Sequence, residues 1–231
     1  MVEKYINMTP KARKTHRSIL DAAYSLFTEV GYQKTTMRAI AKNAGIAAGG
    51  IYHYFPSKAH IVQAYYSESV QRDEKECRHG LDDHRTLTDR LNYVLRQKIE
   101  NNIGAHGLAK SLFVVATDPN GALSPFSDAS RETRHRSIGL FRDLVEGADD
   151  IITPELKELL PEYLWLLQMG VILFWIYDES PYSETTLALI DRLCVIFESL
   201  MSTMSNPFFF PFRKKIIESL TEFKPTFGES K

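Results

Sequence analysis

Apolar residues recur at helical spacing along most of the chain, and no alternating run bounded by a two-residue turn suggests a strand. Ile19, Ala23, Leu26, Phe27 and Val30 share one face with Gly31 just beyond, which predicts a helix over 11–30. The same reasoning predicts helices over 37–44, 48–54, 57–79, 86–102, 125–146, 154–177 and 183–204. In the helix over 57–79, 71–76 is polar all round and is expected on the surface. Leu87, Leu91, Val94, Leu95 and Ile99 form one stripe, and Phe126, Ile138, Phe141, Leu144 and Val145 another. Leu108–Thr117 is short and apolar, and Asp118-Pro119-Asn120-Gly121 predicts a turn. The fold class is all-α.

Residues 35–58 have the build of a helix-turn-helix. Thr35 and Thr36 offer hydroxyls to the unpaired amides of a first short helix. Ala39, Ile40 and Ala44 face inward. Gly45 stands where the chain must turn, a position that favours positive φ and hence no Cβ. Ile46 and Ile51 are expected to plug the angle between the helices. Tyr52, His53, Tyr54 and Phe55 follow on the second helix, Pro56 closes it, and Ser57 is expected to cap the next. Two short helices at a steep angle present one of them to a DNA major groove.

From Arg17 to Ile61 the chain resembles the TetR family of bacterial transcriptional regulators. The resemblance rests on Ile19-Leu20-Asp21-Ala22-Ala23, Leu26-Phe27, Gly31-Tyr32, Thr35-Thr36, Ile40-Ala41, Ala44-Gly45-Ile46, Gly49, Tyr52, Phe55 and Lys58. It covers about the first quarter of the chain. It implies a three-helix head over 1–60 joined to a helical ligand-binding and dimerisation domain over 61–231. It also implies a small effector that enters the second domain, and a dimer interface made by the last two large helices.

Charge agrees with a nucleic-acid partner for the head. Residues 1–60 hold nine Lys or Arg against three Asp or Glu, a surplus of six, in a chain of net charge −1. Thr36, Tyr52 and Lys58 are the candidate phosphate contacts. Arg38 can reach a base or a phosphate, and Arg on guanine is the commonest specific contact. Ala48, Gly49, Gly50, His53 and Tyr54 are expected near the groove. The cap position often Ser or Thr in the family is Ala47 here, and each glycine weakens a helix by about 1 kcal/mol relative to alanine. Two readings of this bare stretch stay open. The backbone comes close to the groove, with the Ala48 methyl against a thymine methyl, or the helix firms up only on DNA.

In the second domain the helix over 154–177 is apolar nearly all round from Tyr163 onward, so both faces need cover. A second copy of the chain, meeting 154–177 and 183–204, is the simplest cover, and two DNA half-sites read by a symmetric pair agree with it. The run Tyr163–Tyr177 is interrupted by Gln168 and is expected to fall short of the roughly 20 apolar residues of a membrane span. Phe113, Phe141, Trp165 and Met169 are candidates for an apolar ligand pocket, with plain core as the competing reading. Two distant cysteines and an N-terminus without an apolar core fit a cytoplasmic protein. Cys77, His79 and His84 sit in a polar stretch and read as solvated rather than as metal ligands. No nucleophile elbow, phosphate loop or dinucleotide fingerprint is present, so neither an enzyme nor a cofactor is expected. The sequence reads as a regulator, in the first instance a repressor released from a palindromic operator by a small ligand. The alternatives are a ligand-independent regulator or activator, and a ligand-sequestering module with a weakened head.

Overall fold

The structure, a computed structural model, describes residues 8–118 and 121–223. Met1–Asn7 and the centre of the predicted turn, Pro119 and Asn120, lie outside the described residues, although the Gly121 amide does donate to the Asp118 carbonyl across that turn. Among the described residues there are nine α-helices and no strand. They are α1 (Pro10–Glu29), α2 (Met37–Asn43), α3 (Lys58–Leu81), α4 (Leu87–Glu100), α5 (His106–Ala116), α6 (Arg131–Glu146), α7 (Pro154–Tyr177), α8 (Glu184–Ser205) and α9 (Phe210–Glu222). The expected helix over 48–54 is only a 3-10 turn, Gly50–His53. Gly49 and Gly50 withdraw helix propensity where an α-helix would have to start, and no side chain caps it. The helix expected from 125 begins at Arg131, after a 3-10 turn at Asp128–Ser130, so Phe126 precedes it and is exposed.

The chain forms two compact units. One holds Met1–Ser69 and Ala105–Arg131, and the other Val70–Gly104 and Glu132–Lys231. The boundary expected at residue 60 falls inside the first unit, and α3 supplies residues to both. The core of the first unit contains Ile19, Leu20, Phe27, Ile40, Ile51 and Phe55, and α5 and the segment after it complete it with Leu108, Leu112 and Leu123. The Tyr32 amide donates to Ser111 Oγ at 3.1 Å, and Gln63 Nε2 to the Ala122 carbonyl at 2.9 Å. These bonds tie α5 and its following segment to the head.

In the second unit a buried arginine organises helix ends. The Arg90 guanidinium donates to the carbonyls of Leu81 (2.8 Å), His84 (3.0 Å), Asp143 (3.1 Å) and Leu144 (2.8 Å). The carbonyls of a last helical turn lack intrahelical partners, and Arg90 serves those at the ends of α3 and α6. A Cβ on Gly147 would collide with the guanidinium. Between α7 and α8, Tyr182 and Ser183 take left-handed φ of 52° and 60°. Trp175 Nε1 holds Ser183 Oγ at 2.9 Å, and Asp178 accepts from the amides and hydroxyls of Ser180 and Thr186. Burial alone would raise the Asp178 pKa, but these donors outweigh it and hold the carboxyl at about 2.

Two further expectations are corrected here. The second half of α3 is not wholly superficial, because Asp73 and Cys77 are buried, and burial pushes the Cys77 thiol up to about 11. Cys77 is thus no solvated side chain. The expectation that the helix over 154–177 falls short of a membrane span is revised as well, although α7 has the bounds predicted for it. Its 24 residues suffice by length and composition to cross a membrane, and half of its most apolar window is buried inside the chain.

Candidate nucleic-acid interface

The two threonines that open α2 do different things. Thr36 is the cap, in extended conformation, and its Oγ1 accepts from the Ala39 amide at 3.1 Å. Thr35 accepts nothing from α2. It is buried, and its hydroxyl lies 2.8 Å from the Gly31 carbonyl and 3.2 Å from the Leu26 carbonyl, so it pins the end of α1. Gly31 itself takes φ +85° there.

The end of α2 is a Schellman turn. The Ile46 amide donates to the Ala41 carbonyl and the Gly45 amide to the Lys42 carbonyl, with Gly45 at φ +71°. This reversal delivers the chain to the 3-10 turn. The Gly50 amide donates to the Ala47 carbonyl, and the amides of Tyr54 and Phe55 both reach the Ile51 carbonyl. Ile51 and Phe55 are fully buried, and the His16 ring lies against Phe55 with centroids 4.6 Å apart. Burial, reinforced by neighbouring Arg17, holds the His16 pKa below its ordinary value.

With Ile51 and Phe55 turned in, Ala48, Gly49, Tyr52 and His53 are turned out. Gly50 and Tyr54 are half-buried beside them, and Tyr52 is 55% exposed. Thr36 and Arg38 are exposed on α2, as are Lys34 and Lys42 close by in sequence. An exposed cationic and aromatic set on a rigid support can meet phosphates and base edges.

Lys58 has a further attachment. Its Nζ donates to the Tyr32 carbonyl at 2.7 Å and the Gln33 carbonyl at 3.5 Å, and lies 4.4 Å from the centre of the Tyr32 ring. Burial lowers its pKa. Ser57 Oγ sits 2.8 Å from His60 Nδ1, a local pairing at the start of α3. Sequence reasoning did not anticipate Tyr32 and Ser111 as supports of the site. Tyr32 follows the predicted helix end at Gly31, but nothing in local periodicity ties it to Lys58 or to α5.

The candidate ligand residues divide between the units. Phe113, half-buried on α5, belongs to the first, whereas buried Phe141 and Trp165 and half-buried Met169 belong to the second.

Comparison with known proteins agrees over both units. Residues 19–65 match the bacterial regulatory proteins of the tetR family. Residues 90–222 match the tetracyclin repressor-like C-terminal domain. The HTH-type transcriptional regulator UidR of Escherichia coli K12 is 27% identical over 172 residues, which is 72% of this chain and 84% of UidR. The fold is that of the fatty acid degradation regulator FadR from Bacillus halodurans, with a TM-score of 0.63 at 21% identity, over 82% of this chain and 95% of that one. FadR from Bacillus subtilis, solved in complex with stearoyl-CoA, superposes with a TM-score of 0.59 at 19% identity, over 75% and 96% of the two chains.

Proposed function

The chain belongs to the TetR family of bacterial regulatory proteins, and from that premise we propose that it is a homodimeric repressor, released from a pseudo-palindromic operator by a small, mostly apolar ligand. That it is a DNA-binding transcriptional regulator follows from the family itself. The observation that supports the DNA-contact part of the reading is the helix, Schellman turn and 3-10 turn over 37–53. They bury Ile40 and Ile51 and leave Arg38, Tyr52 and His53 outward. Thr36, Tyr52 and Lys58 contact phosphates, Arg38 reads a base, and Ala48–Gly50, His53 and Tyr54 approach the groove. Lys58 does this while anchored to the Tyr32 carbonyl, so it also fixes the chain just before Thr36.

The dimer forms through α7 and α8. Leu173, Phe174 and Tyr177 on α7 and Val195, Ile196 and Leu200 on α8 are exposed large apolar side chains at helical spacing. Surfaces of this kind mark interaction sites. Pairing two copies spaces their recognition turns about one DNA turn apart, roughly 34 Å. The effector binds in the second unit near Phe141, Trp165 and Met169. The fold shared with a FadR solved with stearoyl-CoA makes a long-chain acyl thioester the first ligand to test. Release follows linkage, because a ligand that prefers the DNA-incompetent state is weakened by operator as much as it weakens operator binding. Such a regulator works in the cytoplasm, where its operator is.

A mobility-shift titration on the DNA upstream of its own reading frame tests this, at two salt concentrations with random competitor. A specific shift at dimer stoichiometry that weakens steeply with salt is expected. No operator preference, even after selection from random duplex DNA, would sink the reading.

A further inference from the structure

Buried Arg90 and Asp178 of the second unit are matched by partners, the one by four carbonyls and the other by Ser180 and Thr186. Lys98 on α4 is different. Only 7% of the residue is exposed, yet among the described residues no carboxylate comes within ion-pair distance of its ammonium. Asp73 on α3 acts on it through space, but that carboxylate is held by Arg72 at 3.4 Å and by Asn102 Nδ2 at 3.3 Å. Burial lowers the Lys98 pKa, and Asp73, Cys77 and Glu74 pull it back. A buried ammonium without a direct counter-ion is costly, and such groups mark sites that something else completes. A second unmet group lies at the same level. Helices α3 and α4 run antiparallel, with Leu81 bonded to Arg90 and Asp73 to Asn102. Helices α3 and α6 run parallel, since Arg78 pairs with Asp143 and Glu74 with Arg136. So α6 is antiparallel to α4, and Arg90 meets it at Leu144. Lys98 stands about 12 Å along α4 from Arg90, and Ser137 about 10 Å back along α6 from Leu144. Ser137 is 4% exposed, and its Oγ is buried without a hydrogen-bond partner among the described residues. Phe141 follows one turn on along the same face of α6, as Val94 and Leu91 precede Lys98 on α4, and all three are fully buried.

We propose that Lys98 and Ser137 form an anion site inside the second unit, which takes the carboxylate of an effector whose apolar body lies along Phe141, Val94 and Leu91. The inference rests on the ligand-responsive reading above and adds the head group of the ligand. The ammonium supplies a charge and the hydroxyl a donor, and a carboxylate accepts from both. It becomes the counter-ion that Lys98 lacks. A single negative charge suits the site better than a phosphate dianion, because Asp73 and Glu74 on α3 act on the same ammonium and repel a second one. A methyl ester or a CoA thioester places only a neutral carbonyl at this point and gains nothing from the charge of the ammonium.

The test uses the full-length protein and a panel of monocarboxylates on straight-chain, aryl and polycyclic bodies. Each acid is paired with its methyl ester and each straight chain also with its CoA thioester. Binding is read by titration calorimetry and by release of an operator duplex selected from random DNA. At least one acid should bind tenfold or more tightly than its ester. Lys98→Met removes a buried charge that has no direct counter-ion, so it should unfold at the wild-type temperature or above it and bind that acid and its ester equally. Ser137→Ala should melt like the wild type and weaken the acid threefold or more while leaving the ester unchanged. Esters or thioesters that bind as tightly as the acids would overturn the proposal, as would an acid preference that survives Lys98→Met. A Lys98→Met protein that melts well below the wild type would also overturn it, since the charge would then belong to the fold. If no member of the panel binds or releases operator, the ligand-responsive reading fails and this inference fails with it. If esters release operator with no preference for acids, that reading stands and this inference alone fails.

Discussion

The head covers its own apolar surface, and the second unit does not. In the head, exposed large apolar residues occur singly, at Val30, Tyr52, Val114 and Phe126, while α1, α2, α5 and the start of α3 bury the rest among themselves. In the second unit they come in runs. Leu173, Phe174 and Tyr177 lie along α7, Val195, Ile196 and Leu200 along α8, and four phenylalanines fall within Phe208–Phe212, of which Phe208 is 84% exposed. Single exposed apolar side chains are ordinary for any protein surface, whereas a run of them calls for a partner. The difference teaches where each unit obtains its stability. The head can reach its fold within one chain, so its outward face is available for polar recognition. On the proposed dimer, a second copy of the chain would cover the runs that the second unit leaves exposed.

A charge placed in the exposed run should have the largest effect. Ile196→Glu should raise the dimer dissociation constant at least a hundredfold, roughly 3 kcal/mol, by sedimentation equilibrium. An unchanged dimer would place the interface elsewhere. In the head, Arg38→Ala should reduce discrimination between operator and random DNA by about 1–3 kcal/mol in competition binding. Equal losses on both DNAs would make Arg38 a phosphate contact. A smaller effect is expected inside the head. Thr35→Val keeps the shape and deletes the hydroxyl that pins α1, so thermal unfolding should register a loss of about 1 kcal/mol. No loss would mean that the backbone bond from the Thr35 amide to the Gly31 carbonyl is sufficient.

The smallest effect concerns acidity, and it separates the two units. His16 has a folded-state pKa below its ordinary 6.5, so the unfolded chain takes up a proton that the folded head resists. Head stability is therefore complete above about pH 6.5 and falls as the pH drops below it. Asp178 is shifted in the same direction, but because its charged form is held by donors rather than because burial resists a charge. Its pKa of about 2 lies below the ordinary 3.8, so its contribution persists until the pH falls from about 3.8 toward 2. Between pH 6.5 and 5 the head should weaken while the α7–α8 turn holds. Melting curves of wild type and His16→Gln across that range check this, and parallel curves would rule out His16 as the cause.

Much of this molecule was legible in its sequence, for identifiable reasons. The recognition module uses residues that act on near neighbours. Thr36 caps three residues ahead, Gly45 reverses the chain in place, and Ile51 and Phe55 fall on one side of a single turn. Helical periodicity similarly marked α4, α7 and α8. What was not legible depends on partners far along the chain. Leu108 and Leu112 are spaced like any buried helix face, and periodicity does not say that they face α1 rather than the second unit. Lys58 reads as a free cation until Tyr32 is seen beneath it. Arg90 reads as the polar position of an amphipathic helix, yet it closes the ends of two others. The 3-10 turn in place of the helix over 48–54 was half visible, since the two glycines signalled weakness but not the form it would take.

The path of the chain bears on how such proteins can recombine. It leaves the head after Ser69, returns to it at Ala105 and leaves again after Arg131. A single crossover near residue 60 or 81 would therefore not transplant a complete head. The incoming α1 would meet a resident α5, and its core face would have to accept Leu108, Leu112 and Leu123 from a different parent. Two linked exchanges are needed to move the unit whole. New operator specificity is reached more simply by point substitutions on the outward residues of the turn, which carry little of the core and leave that inherited fit undisturbed.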